Sequence, residues 1–247
     1  MLKKLATIAL GLFFPPVCEA CGGLVPPDLS AEGVCAACQA TIRPIGPPHC
    51  LTCGRTLRQA PVRHCGECER DWGGRGQKGP HYDRAYACVY YRDQTKELLH
   101  AYKFGGRHAL KNYFVKLMGS FFEEHLNDER FDGVVAVPLD KKKLRSRGFN
   151  QAALLSAALA KRLGIPDVSR RLRRDRSQAP QSLLSKAERQ SMIRGCFSVN
   201  PGHGLGGKNM LLVDDILTTG RTASECSRVL KAAGARRVTV LAFARGD

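Results

Sequence analysis

The chain of 247 residues is long enough for one large domain, or for one ordinary domain and a small one, and its 43% hydrophobic content is that of a soluble globular protein rather than a membrane-embedded one. The formal net charge of +17 indicates polyanionic partners such as pyrophosphate, nucleotides or nucleic acid. The excess is uneven, because residues 140–189 hold 14 Lys and Arg but 4 Asp and Glu. This segment is a candidate binding site, with a solvated basic face as the alternative.

The N-terminus resembles a secretory signal, because two lysines precede the apolar stretch Leu5 to Phe14. Ten apolar residues are too few to span a bilayer. Cleavage after Ala20 would also remove Cys18 and leave Cys21 without its partner. We therefore interpret residues 2–14 as a short helix that packs on the protein, and a secretory signal is the alternative.

Eight of the eleven cysteines form four CxxC pairs, and this spacing favours zinc over disulfides because both sulfurs of a pair can face one ion. The pairs are Cys18/Cys21, Cys35/Cys38, Cys50/Cys53 and Cys65/Cys68. The surrounding residues 15–80 are rich in proline and have few apolar runs, so metal must supply the folding energy. The other three cysteines, Cys88, Cys196 and Cys226, lie in apolar contexts typical of core residues.

The gaps between the pairs suit two closed Cys₄ zinc sites, formed by pairs one and two and by pairs three and four. A crossed arrangement, one with three and two with four, is the alternative. Gly22 and Gly54 follow the first and third pairs as in tight metal-binding knuckles. Such closed sites are structural, and thiolate ligands indicate a reducing cytoplasm. With the glycine-rich linker 73–79, the predicted domains are residues 1–78 and 79–247.

The second domain alternates strand and helix signals, which indicates an α/β fold. Predicted strands cover residues 82–91, 131–137, 196–199 and 238–243. Predicted helices cover residues 95–104, 109–126 and 152–163. Residues 170–194 are basic and polar, and we predict a lid there that closes over a ligand, with a surface excursion as the alternative.

The strongest motif lies in residues 210–234, where the apolar strand from Met210 to Val213 ends in Asp214 and Asp215. A Thr/Gly loop, residues 218–222, then leads into a helix, so hydroxyls and backbone N–H groups meet at its N-terminus and can bind phosphate. Carboxylates repel phosphate, so the ligand should offer hydroxyls or Mg²⁺ on one side and phosphate on the other. A ribose 5-phosphate meets this demand.

A second charged junction follows the predicted strand 131–137, where residues 138–151 read PLDKKKLRSRGFNQ. Ligands of open α/β sheets bind at the carboxyl ends of the strands. Two charged loops at one such edge suit a ligand with two anionic ends. We assign the pyrophosphate end to this second loop.

The string LLVDDILTTGRT resembles the phosphoribosyl pyrophosphate (PRPP) signature of type I phosphoribosyltransferases. Together with the CxxC pairs, LHAYKFGG, VVAVPL and RGFNQA, the whole chain resembles the ComF family, which is linked to DNA uptake in bacterial competence. The resemblance implies a type I phosphoribosyltransferase (Rossmann-like) domain with a parallel-sheet core, preceded by a small Cys₄ zinc-ribbon domain. It also implies PRPP bound with Mg²⁺.

For a PRPP enzyme, the protein must hold cations against the leaving pyrophosphate and orient the ribose. The candidate catalytic residues are Asp214, Asp215, Lys103 and Arg147. The candidate PRPP-binding residues are Thr218, Thr219, Gly220, Arg221, Thr222, Pro138, Leu139, Asp140, Lys141, Arg145, Arg174 and Arg176. For the cations, a merely solvated position is the alternative.

Two functions stay open: a phosphoribosyltransferase acting in DNA uptake or the use of external DNA, and a non-catalytic adaptor that senses PRPP or a nucleotide and binds single-stranded DNA. A purely structural zinc adaptor is a weaker third. We expect single-stranded DNA and competence-machinery proteins such as a helicase as partners, and a cytoplasmic bacterial location where partners hold the protein at the inner face of the membrane. The candidate DNA surface contains Arg43, Arg55, Arg58, Arg63 and Trp72.

Overall fold

The computed structural model describes residues 16–26, 33–57, 63–72, 79–175, 195–200 and 204–246. The predicted N-terminal helix and most of the glycine-rich linker lie outside these residues. Arg58, Arg176 and most of the predicted lid lie outside them as well.

The described residues form short helices in the cysteine-rich part and alternating strands and helices after it. The helices are α1 (Ala36–Ala40), α2 (Gly66–Trp72), α3 (Asp93–Phe104), α4 (Leu110–His125), α5 (Lys141–Arg147), α6 (Gln151–Leu163) and α7 (Arg221–Ala232). The strands are β1 (Arg84–Tyr90), β2 (Gly133–Ala136), β3 (Leu172–Arg174), β4 (Phe197–Val199), β5 (Asn209–Leu217) and β6 (Arg237–Arg245). The predicted strands and helices occur in the predicted order, and α5 and β3 are additional elements.

The core is a four-stranded parallel sheet in the order β1, β6, β5, β2. Its central strands are apolar on both faces, as expected where helices cover a sheet on both sides. On one face Leu211 and Val213 pack in a cluster with α4 and α6. On the other face Met210 and Leu212 pack against α7 through Cys226 and neighbouring residues. The carboxyl ends of β5 and β2 therefore lie side by side.

A small antiparallel sheet of β3 and β4 corrects the predicted start of the lid. Arg170 and Arg171 lie in a 3-10 turn, and Arg174 ends strand β3. Leu172 pairs with Val199 and Arg174 with Phe197. The beginning of the basic segment is therefore ordered, because its alternate side chains, such as the buried Leu172, can pack against the domain.

The cysteine-rich part contains the same local structure twice. In each copy the glycine after the second cysteine has positive φ, +73° at Gly22 and +72° at Gly54. Each of these glycines donates its N–H to the carbonyl of the first cysteine, Cys18 or Cys50, at 2.8 Å. Only glycine adopts this conformation without strain, which explains its place directly after the pair. A short helix, α1 or α2, follows the third cysteine of each copy.

The cysteine-rich part is joined to the sheet by backbone hydrogen bonds along β1. Ile45 donates to the carbonyl of Cys88 at 2.9 Å, and Tyr90 donates to the carbonyl of Arg43 at 3.0 Å. These bonds run antiparallel and cover the edge of β1, which would otherwise expose unpaired backbone groups. The two predicted domains are therefore in direct contact.

Within the described residues, every helix is too short or too polar to cross a membrane.

Candidate functional site

The acidic pair lies inside strand β5 rather than after its end. The strand continues through Asp214 and Asp215 to Leu217, so the Thr/Gly loop starts later than predicted. The two side chains leave the strand on opposite faces, but the Asp214 carboxylate turns back and accepts from the backbone N–H of Asp215 at 2.9 Å. Asp215 is buried at 4% exposure, whereas Asp214 is half-buried. Their chemical environments therefore differ.

Two side chains from other elements contact the Asp215 carboxylate. The ammonium of Lys103, at the end of α3, forms an ion pair with one carboxylate oxygen of Asp215. The amide of Gln151, at the start of α6, donates to the other oxygen at 3.2 Å. Sequence reasoning placed Lys103 and Asp215 in one site, and the structure brings them together across the fold.

The pKa values of the two carboxylates are shifted in opposite directions. Burial raises the pKa of Asp214 well above its ordinary value, and the neighbouring Asp215 carboxylate raises it further. Burial also acts to raise the pKa of Asp215, but the Lys103 ammonium and the hydrogen bonds to Asp215 outweigh it and lower that pKa. Asp215 is therefore the carboxylate of the pair that loses its proton first, and Asp214 holds its proton more readily.

Arg147 closes the site on the side of α5. It donates to the side-chain oxygen of Gln151, and its guanidinium lies over the ring of Phe104, 4.8 Å from the ring centre. Burial lowers the pKa of Arg147, although the Asp215 charge acts against this. The predicted catalytic residues Lys103, Arg147 and Asp215 thus belong to one network that Gln151 connects.

The loop of residues 218–222 follows directly on β5 and leads into α7. Thr218 and Thr219 are exposed, and Gly220 is buried with φ +72°. The backbone just before the loop is held by Arg245, which donates to the carbonyl of Leu217 at 2.9 Å. The first two threonines of the loop are therefore exposed, on a backbone that is held where the loop begins.

The second charged junction is a helix, α5, and not the predicted loop. Asp140 caps this helix by accepting from the backbone of Lys142 at 2.9 Å, and Gly148 ends it with positive φ. Lys141 and Arg145 are exposed on α5. The backbone before it, Pro138 and Leu139, is half-buried beside the end of β2.

Arg174 lies next to this junction. Its Nε is 3.8 Å from an Asp140 oxygen, and its guanidinium lies 5.3 Å from the centre of the Phe197 ring. Of the candidate arginines in the basic segment, Arg174 is thus placed beside the predicted pyrophosphate end, and Arg176 lies outside the described residues.

The eight paired cysteines form two groups of four, and the predicted sequential pairing is confirmed over the crossed alternative. In each group the four sulfur atoms lie within 4.8 Å of one another. The groups are Cys18, Cys21, Cys35 and Cys38, and Cys50, Cys53, Cys65 and Cys68. The Sγ atoms of Cys21 and Cys35 are 3.8 Å apart, and those of Cys53 and Cys65 are 3.7 Å apart. Both distances match the roughly 3.8 Å between two sulfurs of a tetrahedral zinc site.

The thiols of the second group need a cation. Cys50 raises the pKa of Cys53 to about 11, chiefly through the hydrogen bond between their side chains and to a smaller extent through charge repulsion, so the two sulfurs do not ionise together. A zinc ion would remove this conflict by binding all four as thiolates. The donor set and its spacing therefore fit structural zinc in both groups.

Sequence reasoning gave no role to Gln151, Arg245 or Tyr82. Gln151 carried a signal, because it ends the RGFNQ string that follows a predicted strand. Arg245 and Tyr82 lie far from the phosphate loop along the chain, so no local pattern could connect them to it. Both are buried, at 5% and 4% exposure.

Comparison with known proteins gives two family matches along the chain. Residues 9–69 match the family described as double zinc ribbon domain, and residues 144–246 match the phosphoribosyl transferase domain family. A crystal structure of adenine phosphoribosyltransferase from Saccharomyces cerevisiae is 17% identical, with a TM-score of 0.40, over 58% of this chain and 72% of that one. This likeness is too weak to inform the function.

The fold, the two Cys₄ groups and the family matches define a zinc-ribbon protein with a phosphoribosyltransferase-type domain. The chain is 31% identical to the DNA utilization protein YhgH of Salmonella typhi, over 95% of this chain and 99% of the relative. It is 27% identical to Competence protein F of Haemophilus influenzae, over 94% and 98% of the two chains. The chain belongs to the ComF family.

Proposed function

We propose that this protein binds PRPP with Mg²⁺ at the carboxyl edge of the sheet and acts in DNA uptake or the use of external DNA, as the names of its relatives state for them. The observation that supports PRPP most is the placement of Asp214 and Asp215 in the strand that runs directly into the loop of residues 218–222. The carboxylates that would bind the ribose hydroxyls and the loop that would bind the phosphate then lie on one continuous segment.

In this proposal the ribose lies over the end of β5. Asp214 and Asp215 accept hydrogen bonds from the ribose hydroxyls, and the loop hydroxyls and N–H groups of residues 218–222 bind the 5-phosphate. Lys103 holds Asp215 in the charged form that such acceptance requires. Gln151 keeps the Asp215 carboxylate in one orientation.

The pyrophosphate lies toward β2 and α5. Pro138, Leu139 and Asp140 shape the backbone there, and Lys141, Arg145, Arg147 and Arg174 supply positive charge. In transfer, the bond from ribose C1 to the pyrophosphate oxygen breaks with its electron pair leaving on that oxygen, while an acceptor forms the new bond to C1. Mg²⁺ bound with PRPP would neutralise part of the charge on the leaving group. The cations of the chain stabilise the remainder.

A second candidate is a PRPP-binding adaptor without turnover. Lys142 and Lys143, which are exposed on α5 and have no role in the proposed PRPP site, favour it, since a small-molecule site does not need additional cations facing solvent. Release of pyrophosphate that depends on an added acceptor separates the two functions. Bases, nucleotides and oligonucleotides are the acceptors to supply, and binding of PRPP without such release for any of them supports the adaptor.

The raised pKa of Asp214 predicts that PRPP affinity increases with pH. A protonated Asp214 cannot accept two hydroxyl hydrogen bonds, so affinity should rise as the pH passes above the ordinary range of an aspartate, near 3.9, through the raised pKa. Calorimetry between about pH 5 and 8 measures this. The phosphates of PRPP titrate too, but equally for wild type and Asp214→Asn. The ratio of the PRPP affinity of wild type to that of Asp214→Asn should therefore increase with pH. A ratio that stays constant contradicts the prediction.

We further propose that the chain binds single-stranded DNA through exposed cations. The zinc-ribbon part presents Arg43 and Arg63, and α5 presents Lys142 and Lys143. Counterion release makes such binding fall steeply with salt, and each lost phosphate contact reduces the salt slope by about 0.7 for single strands.

Two matched variants locate the DNA surface, Arg43→Gln with Arg63→Gln, and Lys142→Gln with Lys143→Gln. A fluorescent oligonucleotide titrated at low and moderate salt should show a slope reduced by about 1.4 in the variant that lies on the surface. We expect the larger change for the zinc-ribbon pair. If wild-type protein shows no salt-sensitive binding at low ionic strength, the DNA proposal fails.

In the same proposal the protein works in the bacterial cytoplasm, where thiols stay reduced and zinc-bound. Competence proteins such as a helicase or a DNA-processing protein would be its partners and would hold it at the inner face of the membrane. Co-purification from competent cells tests this, and recovery of the protein with intact disulfides would contradict the location.

A further inference from the structure

We infer that the second Cys₄ group positions the phosphate loop, and that Tyr82 is the residue through which it does so. This inference rests on the proposed function only for the identity of the ligand. The structural coupling itself stands on contacts between Tyr82, the knuckle of Cys50 and Cys53, and Gly220.

The hydroxyl of Tyr82 contacts both partners. It donates to the backbone carbonyl of Thr52 at 2.6 Å, within the buried knuckle between Cys50 and Cys53. The same oxygen lies 2.5 Å from where a β-carbon on Gly220 would be. Gly220 therefore packs its bare α-carbon against Tyr82, and its positive φ would be strained for a residue with a β-carbon.

Neighbouring bonds fix both sides of this contact. On the knuckle side, the hydroxyl of Thr52 is bonded to the ring of His64 at 2.8 Å, and the backbone of Ala85 donates to the carbonyl of Leu51 at 3.1 Å. On the loop side, the backbone of His81 donates to the hydroxyl of Ser224 in the first turn of α7 at 3.0 Å. Residues 81 and 82 thus join the zinc knuckle to the phosphate loop and its helix.

The first Cys₄ group is placed differently and serves as an internal control. Its cysteines Cys18 and Cys38 pack in the cluster on the α4 and α6 face. Its knuckle residue Glu19 forms an ion pair of 3.1 Å with Arg107, which follows α3. Tyr82, in contrast, packs in the cluster on the α7 face. The two groups repeat one local structure, but the second adjoins the phosphate loop.

The consequence is that metal loss from the second group should loosen a loop that holds no metal ligand. Without zinc the knuckle carbonyl of Thr52 moves from the Tyr82 hydroxyl, and Gly220 loses the surface on which it packs. A cell that strips or oxidises these thiols would thereby reduce phosphate binding at a distance.

The experiment uses the full chain and two pairs of variants. Tyr82→Phe removes the hydroxyl and keeps the ring, with Tyr113→Phe, also buried, as its control. Cys65→Ser removes one ligand of the second group, with Cys21→Ser removing one of the first. Zinc content is measured for all four, and two zinc ions should remain in both tyrosine variants.

The first readout needs no ligand. Hydrogen exchange of residues 218–226 should be about tenfold faster in Tyr82→Phe, the size expected for one lost buried hydrogen bond. It should accelerate in Cys65→Ser as well and stay at the wild-type rate in Tyr113→Phe and Cys21→Ser. Equal acceleration in both cysteine variants, or none in Tyr82→Phe, overturns the inference.

The second readout is PRPP affinity by calorimetry, which should fall about tenfold in Tyr82→Phe and stay within about twofold of wild type in Tyr113→Phe. If wild-type protein does not bind PRPP but the exchange pattern holds, the proposed function fails and the coupling survives. If PRPP binds equally to wild type and Tyr82→Phe while exchange is unchanged, the coupling fails and the proposed function survives.

Discussion

Replacing Asp214 and Asp215 together by asparagine should weaken PRPP binding by about 100-fold or more while the fold survives. Each carboxylate that accepts a ribose hydroxyl contributes a charge-assisted hydrogen bond, worth roughly 1.5–3 kcal/mol. Asparagine keeps the size of the side chain and removes the charge. Titration calorimetry with PRPP and Mg²⁺ gives the affinity, and thermal unfolding reports the fold.

The two single variants should differ in unfolding temperature, because the two carboxylates lie in different surroundings. Asp214→Asn should unfold at the wild-type temperature or above, since burial already opposes the charge of Asp214. Asp215→Asn should unfold earlier, since it leaves the Lys103 ammonium without its carboxylate partner. Both should bind PRPP less tightly than wild type.

Asp132→Asn is the matched control. Asp132 lies at the opposite, amino end of the sheet, where it accepts from the backbone of Asn209 at 2.8 Å, and an amide oxygen can still accept that bond. PRPP affinity should remain at the wild-type value in this variant. Unchanged affinity in the Asp214 and Asp215 double variant would remove the ribose role from these residues.

Removal of zinc should have the largest effect on the fold. Elemental analysis should find two zinc ions per chain, and a chelator strong enough to strip both should lower the unfolding temperature by more than about 10 °C. Structural zinc contributes about 10–16 kcal/mol in small zinc-finger peptides, and about 1 kcal/mol shifts the midpoint of a chain this long by about 2–4 °C. Zinc stabilises the ribbons directly and the parallel sheet only through the ribbon contacts along β1, so the shift is smaller than the simple product.

Loss of zinc should also speed up hydrogen exchange at the edge of the parallel sheet. The backbone bonds between residues 43–45 and β1 depend on the folded ribbons, so the amides of Ile45 and Tyr90 should exchange faster after chelation. Re-addition of zinc under reducing conditions should restore both the midpoint and the protection. A chain that holds one zinc ion or none, or that unfolds at the same temperature with and without chelator, contradicts this prediction.

Several features could be read from the sequence because their signals are local. Four CxxC pairs with glycine after two of them predict metal knuckles, and the apolar run before Asp214 predicts a buried strand. Helix α5 was missed although its ends carry local signals, Asp140 as the cap and Gly148 after the last turn. The density of lysine and arginine in residues 141–147 led to the prediction of a loop instead.

The sequence by itself determined the identity of the ligand groups: eight thiols in pairs, two adjacent carboxylates, and a loop of hydroxyls next to a helix. These follow from residue type and spacing over a few positions, which fix strand alternation, knuckle geometry and helix caps. The tertiary structure alone decided which thiols share an ion, that Lys103 neutralises Asp215 from another helix, and that Tyr82 joins a zinc knuckle to Gly220. Those partners lie far apart along the chain, and only the packing of the sheet, its helices and the ribbons brings their side chains into contact.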